Sequence, residues 1–344
     1  MRHNLVEMES FDEMVRDWDN SLTDIRQSLN KAVYKDDMLS AYEETPAGLV
    51  ALQGGMTEQG FRSLCQKIGA PSGWLKGANC PDDLRHTVIN RLMRDYEKTC
   101  LLRYRNDSVC RGVLSEKYMV YNHLDVWEVV YEMINSTRLG ELQPKVWKPN
   151  LDDKMSLWIL FDKVNADPDE NLRTYDGGGS GGLRPAIYIR NAEDGTGKIG
   201  LKSGFYRSYC SNGVIFGLQT KASVERIHLG NSQKLVDATI RLAVGEAVDG
   251  IGIGIDRYIE SCKEELVVGV DEIVAKWSKR YGMSTETSDL WKGFLSRSRT
   301  YGDVVMGTSD YAGTLENSDL QEEFETIAGK MLFEEHSHLV ERIP

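Results

Sequence analysis

The spacing of apolar residues predicts helices at both ends of the chain and strands in its middle. Near the N terminus, apolar residues recur at intervals of three and four positions: Phe11, Met14, Val15, Trp18, Leu22 and Ile25. This period matches a helical turn, so helix is predicted through the first ~50 residues. Thr57 is then placed to cap a short helix that Gly69 ends, and Pro81 opens another.

Strand-like patterns follow these helices. Two apolar runs flank Asn106–Asp107, which predicts a β-hairpin, and Asn122 is placed to cap the next helix. The polar, glycine-rich residues 164–182 predict a long mobile loop. Residues 184–217 predict two or more strands joined at the Asp194–Gly195 turn.

Helical periodicity returns from Ser232 to about Met331. Strands and helices do not alternate, so we expect an α+β fold with a helical N-terminal part, a central antiparallel β-sheet and a helical C-terminal part. The expected division is an acidic helical segment 1–56, an α+β domain 57–333 that is β-rich over 155–230 and helical over 232–333, and a tail 334–344.

Composition narrows the class of protein. Hydrophobic residues make up 41% and charged residues 27%, as in soluble globular proteins. The N-terminal residues are acidic and lack the apolar core of a secretory signal, and no uncharged apolar run approaches ~20 residues, so a cytoplasmic location without membrane contact is expected. The 6 cysteines form no Cys-x-x-Cys pair. No metal site and no cofactor is therefore expected.

Charge is distributed unevenly along the chain, whose formal net charge is −12. Residues 1–60 carry 5 basic and 12 acidic residues, and residues 303–344 carry 2 and 10. Residues 183–234 carry 8 basic residues against 3 acidic ones. A basic middle between acidic ends can attract an anion, or its cations can pair with those ends. The sequence leaves both possibilities open.

The stretch SGFYRSYCSNGVIFG, residues 203–217, raises the question of nucleophilic chemistry. Cys210 would need a base, and Arg207 and His228 are the nearest candidates along the chain. The pattern favours instead a strand that runs into an Asn212–Gly213 turn, with a structural cysteine. No catalytic residue is assigned, and an enzyme using Cys210 or His228 is the least favoured of three hypotheses.

Cations alternate with tyrosines through the β-rich middle. Arginine and lysine on a sheet can contact phosphates, and tyrosine rings can stack on unpaired bases. An ordinary solvated sheet with tyrosines in its core is the alternative. The residues predicted to contact nucleic acid are Arg184, Tyr188, Arg190, Lys198, Lys202, Tyr206, Arg207, Arg226 and His228.

Several short motifs resemble the phage- and plasmid-associated family known as domain of unknown function 932 (DUF932), over roughly residues 57–333. They are Arg111, Ser115 and Tyr118, then Cys210, Asn212 and Gly213, then His228 and Gly230, and lastly Ala328 and Gly329. The chain departs from the family pattern near YGDVVMGTSDYAG. The order of elements is also similar to that of single-strand annealing proteins of recombination, a likeness of layout alone.

The leading hypothesis from the sequence is a non-enzymatic protein of a phage or mobile element that binds single-stranded nucleic acid, as a homo-oligomer that anneals complementary strands. The second hypothesis is an acidic interaction factor that captures a host defence or replication protein through its charged ends. The two differ in which charges must be exposed. The first needs the cations of residues 183–234 exposed, and the second needs the terminal carboxylates exposed.

Overall fold

The structure of this chain is a computed structural model that describes residues 5–45, 48–106, 108–137, 139–161, 183–197, 199–207, 212–216 and 233–340. The described residues form two six-stranded sheets, with helices at both ends of the chain. The α+β fold predicted from the sequence is confirmed. The β-structure is divided between two sheets, and residues 22–56 contribute strands to the first of them.

The N-terminal sheet is built from residues 22–115. Its strands are β2 (Leu22–Ser28), β3 (Val33–Lys35), β4 (Met38–Thr45), β5 (Gly48–Met56), β6 (Thr99–Arg105) and β7 (Val109–Ser115). Their spatial order is β2-β6-β7-β5-β4-β3, with β5 and β7 parallel and the other pairs antiparallel. Helices α2 (Glu58–Ile68), α3 (Ser72–Leu75) and α4 (Asp82–Arg94) bury their apolar side chains against this sheet.

The central sheet is fully antiparallel among the described strands. It contains β1 (Leu5–Glu7), β8 (Pro144–Leu151), β9 (Lys154–Phe161), β10 (Leu183–Ala192), β11 (Gly200–Arg207) and β12 (Asn212–Phe216), in the order β1-β8-β9-β10-β11-β12. Its inner face, with Leu157, Ile159 and Ile187, packs on helices α1 (Met8–Asn20) and α5 (His123–Asn135).

Five further helices complete the described chain: α6 (Gln233–Ser261), α7 (Val270–Tyr281), α8 (Thr285–Leu295), α9 (Tyr301–Ala312) and α10 (Ser318–Val340). Helix α6 joins the apolar core on the inner face of the central sheet. Helix α10 packs against α9 and β12, and its residues Phe324, Ile327 and Met331 are buried among the C-terminal helices.

The helix predicted through the first ~50 residues is wrong beyond Asn20. Helix α1 buries Met8, Phe11 and Val15 and ends at Asn20. Of the predicted series, Phe11 and Val15 are buried and Met14 is 43% exposed. From Leu22 the backbone pairs with β6, and every second residue from Ile25 to Leu29 is buried. The middle residue of that series is the polar Gln27, which hides the two-residue period. Its side-chain oxygen accepts the Tyr42 N–H at 3.2 Å.

The structure differs from three further predictions. Asn212 and Gly213 are the first residues of β12, opposite Arg207 and Tyr206, and do not form the predicted turn. The C-terminal tail predicted from residue 334 continues α10 as far as Val340. The boundary predicted at residue 56 divides β5 from the α2 helix that packs beside it, and the N-terminal sheet uses strands from both sides of that boundary.

Candidate nucleic-acid interface

Three of the side chains predicted to contact nucleic acid lie together on the outer face of the central sheet. Tyr188 of β10 lies directly opposite Lys202 of β11. Arg190 follows Tyr188 by two residues, so strand alternation places it on the same face. Gly200 is the residue opposite Arg190, and a Cβ there would lie 3.0 Å from the Arg190 Nε. The absent side chain therefore leaves room for the Arg190 guanidinium.

All three side chains donate hydrogen bonds to one carboxylate, that of Glu322 on α10. The Tyr188 hydroxyl donates to Oε2 at 3.0 Å. Arg190 Nη1 and Lys202 Nζ donate to Oε1 at 2.9 Å and 3.2 Å. An arginine, a lysine and a tyrosine hydroxyl thus form a donor set around a single oxyanion, and the oxyanion belongs to the chain itself.

The same end of α10 makes further contacts with cations of the sheet. Asp319 pairs with Lys154 of β9 at 3.5 Å. The buried Glu325 lies near Lys148 of β8, whose pKa is lowered by burial and partly restored by that carboxylate. Acidic side chains at a helix N terminus are also favoured by the helix dipole. The start of α10 is therefore held over the sheet by opposite charges.

Exposure divides the cluster into an inner and an outer part. Tyr188 is 6% exposed and packs on the Trp158 ring, with centroids 5.2 Å apart. Burial raises the pKa of its hydroxyl well above the usual range, and Glu322 raises it further, so the hydroxyl remains a donor. The side chains of Arg190 and Lys202 are 34% and 20% exposed. The sequence left open whether these cations are free to attract an anion or pair with the acidic ends. In the structure, Arg190 and Lys202 pair with Glu322 of the acidic C-terminal part.

For the other residues predicted to contact nucleic acid, the structure gives at most the strand register. The register places Arg184 opposite Tyr206, and Arg207 opposite Asn212. Lys198, Arg226 and His228 lie outside the described residues, as do Cys210 and Gly230. The glycine-rich loop predicted over residues 164–182 lies outside them too.

A second cluster of polar side chains is buried where the two sheets meet, and its centre is Glu193, just after β10. The Glu193 carboxylate accepts hydrogen bonds from Arg111 Nη1 at 2.5 Å, the His123 backbone N–H at 2.5 Å and the Trp18 indole at 3.2 Å. Arg111 and Glu193 are both 0% exposed. Burial alone would raise the Glu193 pKa, but His123, Arg111 and Arg103 outweigh it and lower the pKa.

Arg103 extends this buried network into the N-terminal sheet. Its guanidinium donates to Asp24 at 2.8 Å, to the Glu193 backbone oxygen at 2.8 Å and to Asn122 at 2.6 Å. His123 Nδ1 lies 3.1 Å from the Asn191 side-chain nitrogen and 3.4 Å from a Glu193 carboxylate oxygen, and its Nε2 lies 2.8 Å from the Asp152 backbone oxygen. Burial lowers the His123 pKa, and Glu193 opposes that effect.

The central members of the network, Arg103, Arg111, His123 and Glu193, are fully buried, and its chemistry is that of a structural junction. Its members come from α1, β2, β6, β7, α5, the β8–β9 turn and the end of β10, so it fixes the relative positions of the two sheets. Arg111 was singled out from the sequence, whereas Arg103, His123 and Glu193 were not assigned to a site. A usable signal was present, since Arg103 lies between the apolar residues Leu102 and Tyr104 of a strand.

Across residues 5–340, with the gaps already given, no His, Cys, Asp and Glu side chains form a group of three or more suited to a metal ion. Among the helices described, none has the length and apolar character of a membrane span.

Comparison with known proteins finds a family likeness in part of the chain. Residues 111–251 match the family model described as a domain of unknown function (DUF932). The match covers 141 of the 344 residues. No curated protein and no solved structure matches the chain.

The DUF932 segment is shorter than the resemblance over residues 57–333 suggested. It begins at Arg111 in β7, includes the buried Tyr118, and ends within α6. Ser115 is the last residue of β7. Ala328 and Gly329 of α10 lie beyond the matched segment. The segment therefore contains the Arg111–Glu193 pair and the cations on β10 and β11, and it excludes the helix that carries Glu322.

Proposed function

We propose that the protein binds single-stranded nucleic acid through the outer face of its central sheet. The observation that carries the proposal is the convergence of Tyr188, Arg190 and Lys202 on one carboxylate. Phosphate oxygens accept hydrogen bonds from the same donors, and cations spaced along strands can follow a phosphodiester backbone. Arg184 and Tyr206, which the register places opposite each other, belong to the proposed contact set, whereas strand alternation assigns Arg207 to the other face.

The wider hypothesis places the protein in the cytoplasm, encoded by a phage or mobile element and annealing complementary strands as an oligomer. The DUF932 match is compatible with it but names no activity. Annealing would appear as faster pairing of two complementary oligonucleotides that carry a fluorophore and a quencher. Sedimentation with and without oligonucleotide would report the oligomer.

The direct test is fluorescence anisotropy with a labelled single-stranded oligonucleotide, as DNA and as RNA. Binding should be measurable near 50 mM salt and should weaken as salt rises. The double variant Arg190→Ala with Lys202→Ala should reduce the slope of log K against log salt by about 1.4, since each lost phosphate contact is worth about 0.7 for a single strand. Absence of wild-type binding at low salt would refute the proposal.

A matched control removes two cations elsewhere. Arg94 and Lys98 are exposed near the end of α4, on the side of the N-terminal sheet. Arg94→Ala with Lys98→Ala changes the net charge equally and should leave the salt slope within error of the wild type. Equal slopes for both double variants would show that only overall charge matters, and the assignment to β10 and β11 would fail.

The second hypothesis, capture of a host protein, is favoured by a different observation. The side-chain carboxylate of Glu322, near the C-terminal end of the chain, faces the central sheet. The carboxylates of Glu9, Glu13 and Asp17 on α1 are exposed. A partner of basic surface charge would therefore be expected on α1. Pull-down with all three α1 residues changed to lysine should lose that partner, and an unchanged partner set would contradict the hypothesis.

A further inference from the structure

Helix α10 occupies the surface to which nucleic acid is assigned above, and this regulatory inference rests on that proposed function. We propose that the start of α10, residues 318–323, is an internal competitor, with Glu322 standing in for a phosphate, and that a single strand binds by displacing those residues. The Glu322 carboxylate takes the hydrogen bonds of Tyr188, Arg190 and Lys202 that a phosphate would need. The two anions cannot use the same donors at once.

The way in which α10 is anchored allows its start to move separately. From Phe324 onward the helix is fixed by apolar contacts, since the Phe324 ring packs edge-on against Trp291 and Tyr311 at 5.5 Å and 4.7 Å. Before Phe324, Leu320 is 45% exposed, and Asp319 and Glu322 contact the sheet through ion pairs. Residues 318–323 are therefore attached by charge, and the rest of the helix by the core.

The connection before α10 provides the place at which residues 318–323 can separate from the sheet. The Asn317 side chain accepts the backbone N–H groups of Asp319 and Leu320, both at 3.0 Å, and so caps the helix. Opening residues 318–323 breaks this cap and the ion pairs, while the buried residues from Phe324 onward remain packed. Partly exposed ion pairs weaken with salt and compete directly with an added polyanion.

The test compares two glutamates that are neighbours on α10. Glu322→Gln removes the competing charge, and Glu323→Gln removes an equal charge one residue further along. In the low-salt anisotropy assay, Glu322→Gln should bind the oligonucleotide about 10-fold more tightly than the wild type, within the range of coupling seen between linked sites. Glu323→Gln should bind within about 2-fold of the wild type.

The outcomes separate this inference from the proposed function. If the wild type binds and the two variants bind equally well, whether unchanged or equally tighter, the competitor role is overturned while nucleic-acid binding stands. If the wild type and Glu322→Gln both fail to bind, the proposed function fails and the inference fails with it. Tighter binding by Glu322→Gln alone supports both.

A second measurement needs no variant and therefore does not depend on the folding of one. Hydrogen exchange of the wild-type protein is followed over residues 313–325, with and without single-stranded oligonucleotide. Displacement predicts faster exchange at the start of α10 in the presence of oligonucleotide and unchanged exchange over residues 326–333. Slower or equal exchange at the start of α10, with the oligonucleotide bound, would overturn the inference.

Discussion

The buried pair of Arg111 and Glu193 provides the sharpest test of how the two sheets are held together. In Glu193→Gln the carboxylate is replaced by an amide of nearly equal size, so packing is preserved and charge is removed. The amide has one acceptor oxygen, whereas the carboxylate accepts from three donors: Arg111, the His123 N–H and the Trp18 indole. The NH₂ group of the amide must therefore face either Arg111 or the His123 N–H. Arg111, at 0% exposure, then keeps only Asp153 at 3.5 Å as a charged partner.

The expected cost follows from that geometry. Removing one partner of a buried ion pair costs about 3–5 kcal/mol, because the other charge stays buried without compensation. Asp153 retains part of the compensation, so we expect the lower end, about 3 kcal/mol. With an m-value of about 3 kcal/mol per M, the urea midpoint should fall by about 1 M.

Urea unfolding followed by tryptophan fluorescence measures this change. The matched control is Glu97→Gln, an exposed carboxylate near the end of α4, expected to stay within about 0.5 kcal/mol of the wild type. The double variant Arg111→Met with Glu193→Gln should be less destabilised than the sum of the two single variants by more than about 1 kcal/mol. The reasoning is refuted if Glu193→Gln unfolds at the same urea concentration as Glu97→Gln.

Three further predictions concern other parts of the molecule. Burial raises the pKa of Asp125 to about 6, above its unfolded value of about 3.9. Because the folded state binds this proton more tightly, the free energy of unfolding should fall as pH rises between these two values. Asp125→Asn should flatten this pH dependence in urea unfolding, and an unchanged dependence would contradict the assignment. A Cβ on Gly54 would lie 2.8 Å from the backbone N of Cys110, whereas one on Gly55 meets nothing within 4 Å. Gly54→Ala should therefore lose about 1–3 kcal/mol in thermal or urea unfolding, and Gly55→Ala clearly less. Burial raises the pKa of Cys110 to about 12, so a thiol reagent should label the half-buried Cys262 before Cys110 in the native protein, and early labelling of Cys110 would show that the strand opens.

Features that depend on neighbouring residues could be predicted from the sequence. Thr57 caps α2 by accepting the Gly60 N–H at 2.9 Å, and Gly69 ends it with a φ of 70°. Asn122 begins α5, where its own N–H is accepted by Asp125 at 2.6 Å. Each of these contacts spans at most four residues, so the pattern of residue types carries the information.

The N-terminal strands could not be predicted in the same way. Ile25 fits the helical series from Phe11 as well as it fits a strand, and the choice depends on pairing with β6 more than 70 residues later, where Ile25 lies opposite Leu102. Helix periodicity is intrinsic to a segment, whereas strand formation depends on a partner that lies elsewhere in the chain. The α+β class was predictable, and the division into two sheets was not.

The pairing of charged residues was the feature least predictable from the sequence. Electrostatic interactions depend on distance in space, and distance along the chain does not determine it. Glu193 and Asp194 were counted against the basic residues of the 183–234 segment, yet both are buried, and Glu193 is matched by Arg111 of the other sheet. Arg190 and Lys202 meet a carboxylate more than 100 residues away. The surface charge of the central sheet is therefore set by Glu322 and not by Glu193. Neutralising Glu322 should change oligonucleotide affinity, while neutralising Glu193 should change the stability of the fold.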